Sequence, residues 1–146
     1  MNRDMLVESA KKLKQPSEKS TGEYSGKRAK IAAEMNILME ARKDILELTG
    51  NNNLEMMKDN NNNHSMFMDS LFTAFNPEVI ADTVIWVFKV YGSHGFGDLY
   101  FSATLEGWLT VLKKELSPEA YDEIYPFYKW MIVNIPAFAE LAGEKK

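Results

Sequence analysis

An all-α fold of five to six main helices is predicted by three features of the 146-residue sequence. Apolar residues recur at helical spacing along most of the chain, and no segment alternates as a half-buried strand does. Asn76-Pro77 and Ser117-Pro118 each set a capping residue before a proline, the pairing that opens helices. The large rings are unevenly placed: all three tryptophans, five of six tyrosines and four of eight phenylalanines lie between Trp86 and Trp130.

The elements follow in order. Residues 2–14 form a short amphipathic helix through Met5, Leu6, Ala10 and Leu13, and 15–26, rich in Ser and Gly, reads as a turn-forming linker. Residues 1–26 are therefore expected to be a short helix and a flexible linker, and 27–146 a single helical domain. The first long helix is predicted from Lys27 to Leu48, with Ile31, Met35, Leu38, Met39, Ile45 and Leu48 at helical spacing and Gly50 as its C-terminal cap.

Seven asparagines fall between Asn51 and Asn63. Asparagine competes for backbone hydrogen bonds and caps helices more readily than it continues them. Leu54–Lys58 is thus read as one helical turn and Asp59–Asn63 as an irregular loop. Helix resumes over Ser65–Phe75. Pro77–Tyr91 is apolar over more than half its circumference, as a central helix is, and Gly92, Gly95 and Gly97 end it in a sharp corner. Asp98–Leu116 places Phe101, Leu105, Trp108, Leu109 and Leu112 on one side. The last helix starts at Ser117-Pro118 and is expected to kink at Pro126, which lacks an amide hydrogen and crowds the preceding turn. Pro136 interrupts it again before a short tail.

Composition excludes several functions. The net charge is −4, and beyond residue 50 there are 7 basic against 13 acidic residues, so neither nucleic acid nor an anionic membrane is an expected partner. Without cysteine there is no disulfide, thiolate catalysis or cysteine-ligated metal. No apolar run reaches a bilayer-spanning length and the N-terminus is unlike a secretory signal, which predicts a cytoplasmic protein.

Few residues invite chemistry. His94, between glycines and flanked by Tyr91, Phe96 and Tyr100, suits either a helix C-terminal cap or a ligand corner in which His94, Tyr91 and Tyr100 hold haem or another flat aromatic molecule. His64, thirty residues earlier, is the second histidine. Asp59, Asn61 and Asn63 imitate the first half of a calcium loop, but His64 stands at its glycine and Ser70 at its bidentate glutamate. No Glu-x-x-His pair supports a di-iron centre, and no metal is expected. Glu106 could act as an acid or base and Asp98 could orient His94, yet solvation of the first and helix capping by the second account for both. No nucleophile motif, phosphate loop or dinucleotide fingerprint occurs, so no catalytic residue is assigned. The rings themselves fit core filling, self-association or a pocket mouth, since tyrosine suits boundaries between buried and wet surroundings.

The helix order and the aromatic pattern YF…L…W…L…L…Y…YPFYKWM over residues 76–142 resemble the non-haem, globin-like sensor domains of bacterial stressosome co-antagonist proteins. That resemblance implies a globin-like helical fold without a cofactor and homodimerisation through the last two helices. Trp108, Leu112, Tyr125, Tyr128 and Trp130 would form the dimer or core face. It further implies a signalling rather than catalytic role, and a regulatory protein is an expected partner beside the second copy of the chain. A non-enzymatic sensor or scaffold is accordingly the first expectation, and a ligand-binding protein using the His94 corner the second.

Overall fold

The computed structural model describes residues 2–50 and 52–143, apart from the Asp98 side chain. Within these residues the chain forms eight α-helices and no strand: α1 (Arg3–Ala10), α2 (Glu18–Glu40), α3 (Ile45–Thr49), α4 (Leu54–Thr73), α5 (Pro77–Ser93), α6 (Asp98–Glu115), α7 (Pro118–Val133) and α8 (Ile135–Gly143). The all-α expectation is met, but the five-to-six-helix bundle is not. Three local departures account for the difference.

First, α2 begins at Glu18, so most of the expected linker is helix. Ser17 caps it by accepting from the Ser20 amide, and Ser20 and Tyr24 continue a buried stripe through Ile31, Met35 and Met39. Gly22 and Gly26 lower helix propensity by about 1 kcal/mol each, and the tertiary contacts of that stripe override the cost. Second, the predicted 27–48 helix is two helices. The chain leaves α2 at Ala41, Arg42 forms a two-pronged ion pair with Asp44 at 2.9 and 3.0 Å, and α3 restarts at Ile45.

Third, Asn60, Asn61, Asn62 and Asn63 are helical, and α4 runs through them without a break. Met57, Asn61, Ser65, Met68, Leu71 and Phe72 form its buried stripe. The amide nitrogens on the inner side find partners, Asn61 Nδ2 donating to Asn36 Oδ1 at 2.8 Å and Asn60 Nδ2 to the Tyr100 hydroxyl at 3.0 Å, while Asn61 Oδ1 is buried without one. Asparagine's usual objection to a helix, competition for nearby backbone groups, is answered by side chains on other helices. Asn51 lies outside the described residues. Pro126 sits inside α7, which spans Pro118–Val133 as one helix, and the final helix is the separate α8, with Pro136 in its first turn.

Helix α2 lies against α4, α6 and α7, whereas α5 lies against α1 and α8. Where α2 meets α6 the backbones are close: a Cβ on Gly107 would come within 2.8 Å of the Met35 methyl. The core is one cluster from Leu6 to Phe138. Helix α1 belongs to it, with Leu6 and Ala10 fully buried and Ser9 accepting from the Trp130 indole at 2.9 Å.

Helices α2 and α7 also exchange caps. Glu123 accepts from the Ser17 amide at 2.7 Å and from the Ser17 and Ser20 hydroxyls. Reciprocally, Glu23 accepts from the Ser117 amide at 2.6 Å and its hydroxyl at 2.8 Å. A capping box uses a glutamate three residues along the same helix to bind the cap amide; here each helix supplies it to the other.

The corner after α5 rests on α3. Gly97 N donates to Leu48 O at 2.8 Å, and Asn53 Nδ2 bridges the carbonyls of Thr49 and His94. Gly50, at φ +84°, is required there, because a Cβ would lie 2.9 Å from Gly95 O. No helix among the described residues is long and apolar enough to cross a membrane.

Candidate functional site

Where α4, α5 and α6 converge they leave a cavity of about 170 Å³. The α5 wall is formed chiefly by Val84, Val87 and Phe88, and the α6 wall by Phe101, Leu105 and Trp108. Phe88 and Phe101 stack face to face, with ring centroids 3.8 Å apart and planes at 14°. Met131 of α7 lines it as well. Trp86 stands at the mouth, 57% exposed.

Polar groups join the lining from all three helices, Thr83 and Tyr91 on α5 among them. On α4, Asn60, Asn63 and His64 reach it, and α6 contributes Thr104. The α-helical spacing of four aligns Asn60 with His64 on α4 and Tyr100, Thr104 and Trp108 on α6. Cross-contacts match that alignment: Asn60 bonds Tyr100, and the His64 ring lies on Trp108 at 4.8 Å.

His64 is half-buried and lines the cavity. Burial pushes its pKa down to about 4, so the imidazole is neutral near pH 7. Its Nε2 lies 2.8 Å from the Tyr128 hydroxyl. Tyr128 is fully buried, and His64 is its hydroxyl's hydrogen-bond partner. Burial also raises the Tyr128 phenol well above its usual range, which keeps its proton in place.

Thr104 is 6% exposed, and its hydroxyl has no hydrogen-bond partner. The hydroxyl is closed off from solvent and lies beside the Tyr100 phenol. Burial pushes Tyr100 up to about 12, opposed by Asn60 and by the Thr104 hydroxyl. An unpaired buried hydroxyl costs about 1–3 kcal/mol.

The structure distributes the sequence candidates as follows. His94 is the exposed C-terminal cap residue of α5, and its carbonyl accepts from Asn53. Tyr91 lines the cavity, and Tyr100 is joined to it through Phe96, with ring centroids 5.2 and 4.7 Å apart. Tyr91 thus lines the cavity and Tyr100 does not, and the histidine in the lining is His64 rather than His94. Trp108, Leu112, Tyr128 and Trp130 are buried within the chain, while Tyr125 is 37% exposed. Glu106 is exposed, and the Asp98 side chain lies outside the described residues. Among the described residues no group of three His, Cys, Asp or Glu side chains converges as metal ligands would. Thr104 carried no signal in the sequence. His64 would have been found by extending the Met57–Phe72 period through the asparagines.

Compared with family models, with curated proteins and with solved structures, the chain matches none.

Proposed function

We propose that this protein is a non-enzymatic sensor that binds a small, mainly apolar molecule in the cavity between α4, α5 and α6. The observation that carries the reading is a ring-lined cavity of about 170 Å³ with an open mouth and a few polar side chains in its walls. Ligand sites combine apolar walls with a few placed polar groups, and this lining has that composition. His64 is held neutral there, and no carboxylate stands beside it.

An apolar cavity of roughly 150 Å³ accepts a single benzene ring, so a cavity of about 170 Å³ with a mouth suits one or two rings. A ligand of that size binds in the micromolar range, at about 1–100 μM. Native mass spectrometry and calorimetry with naphthalene-sized probes test this. The expected result is saturable one-to-one binding, abolished in Val87→Trp, where the half-buried α5 side chain is enlarged into the lining. If no one- or two-ring probe binds saturably to the folded protein, the reading fails.

A further inference from the structure

The cavity has a side that solvent reaches and a side that it does not. Every lining residue on α6 and α7 is buried: Phe101, Thr104, Leu105 and Trp108 on the first, Met131 on the second. The exposed lining residues are Asn63 on α4 and Trp86 on α5, and the half-buried ones belong to the same two helices. The mouth is therefore a slot between α4 and α5, and α6 and α7 form the floor.

Slot and floor differ in chemistry. The floor presents mainly rings and aliphatic surface, and the Thr104 hydroxyl is closed off there. The slot carries neutral polar groups on both edges, Asn60 and Asn63 on α4 and Thr83 on α5. Thr49, Thr73 and Thr110 each donate to the carbonyl four residues back, at 2.9, 2.9 and 3.2 Å, the ordinary resting place of a threonine hydroxyl in a helix. Thr83 makes no such bond, and neither it nor the Asn63 amide has a hydrogen-bond partner among the described residues. Asn63 is exposed and Thr83 half-buried, and each side chain both donates and accepts. A ligand group placed between them exchanges water for protein, a gain of about two- to tenfold in affinity per bond. No Lys, Arg, Asp or Glu side chain lines the cavity, so a charged end would lose hydration and gain no counter-charge.

We propose that the ligand is an uncharged amphiphile, with a flat body of one or two rings against the floor and one polar, hydrogen-bonding end in the slot between Asn63 and Thr83. This rests on the cavity being a binding site, as argued above. The body meets Phe88, Phe101 and Trp108, and the polar end points to solvent. An extension attached to that end leaves through the slot, whereas an extension from the opposite end meets the floor.

The test uses calorimetry at neutral pH with naphthalene, 2-naphthol, 2-naphthoate, 2-(2-hydroxyethoxy)naphthalene and 2,6-bis(2-hydroxyethoxy)naphthalene. The expected order has 2-naphthol about fivefold tighter than naphthalene and 2-naphthoate at least about fivefold weaker than 2-naphthol. The singly extended ether stays within about threefold of 2-naphthol, and the doubly extended one binds at least about thirtyfold more weakly, because its second arm is forced against packed side chains. In the double variant Asn63→Ala/Thr83→Val the preference for 2-naphthol over naphthalene falls to about onefold. Equal affinities of the native protein for naphthalene and 2-naphthol, a preference that survives the double variant, or a carboxylate that binds as tightly as 2-naphthol would each overturn the ligand class. Loss of the singly extended ether, or equal binding of the doubly extended one, would overturn the orientation. Each of these results leaves the cavity a binding site, whereas failure of every probe would overturn the binding site itself.

Discussion

Neutral His64 ties stability to pH. Its pKa falls from the ordinary 6.5 to about 4 in the folded chain because burial penalises the imidazolium. The unfolded chain therefore takes up a proton that the folded chain refuses. The stabilisation is complete above pH 6.5 and declines as pH falls towards 4, by at most about 3 kcal/mol. Urea unfolding across that interval should show the decline in the native protein and a nearly flat profile in His64→Gln. Glu23 and Glu123, both held below the usual 4.5, add their loss only at more acid pH, so the two processes separate. His64 escaped a reading from sequence for a physical reason. Its partners Trp108 and Tyr128 lie on helices that only tertiary packing brings to α4, whereas the glycines around His94 advertise a cap in the local sequence.

The crossed caps of α2 and α7 are pairwise devices that neither helix owns. Glu123→Gln should lower stability by about 1 kcal/mol, near the modest end of charged hydrogen bonds because the site is partly exposed. Glu23→Gln should act similarly on the start of α7. Hydrogen exchange discriminates the two: the Ser17 amide should lose protection in the first variant and the Ser117 amide in the second. If both amides respond equally to either change, the caps are not acting as separate contacts. The starts at Asn76-Pro77 and Ser117-Pro118 were legible because cap and proline act locally. The start at Ser17 was obscured by Gly22 and Gly26, and its decisive partner, Glu123, is more than a hundred residues away. Asparagine in α4 misled in the same manner. Residue preference reports the isolated segment, while Asn36 and Tyr100 decide what Asn61 and Asn60 do.

Taken as one body, the chain has a core that extends further towards its N-terminus than its composition suggests. Leu6 is fully buried, Arg3 pairs with Asp82 on α5, and Ser9 holds the Trp130 indole. Leu6→Ala should cost about 2–5 kcal/mol, the range for emptying a packed site. A cost below about 1 kcal/mol in denaturant unfolding would mean that α1 is an appendage. Helical class and the main apolar stripes were readable from spacing alone, but the division into eight helices was not, because it depends on contacts between distant segments. The tryptophans, spaced 22 residues apart, show the same limit. Equal spacing in sequence leads to unequal surroundings: Trp108 and Trp130 are buried, and Trp86 stands at the cavity mouth, 57% exposed. That inequality makes the protein its own optical probe. The red-edge emission and the part quenched by acrylamide belong to Trp86, so an occupant beneath it would be seen as a loss of quenching without any label being attached.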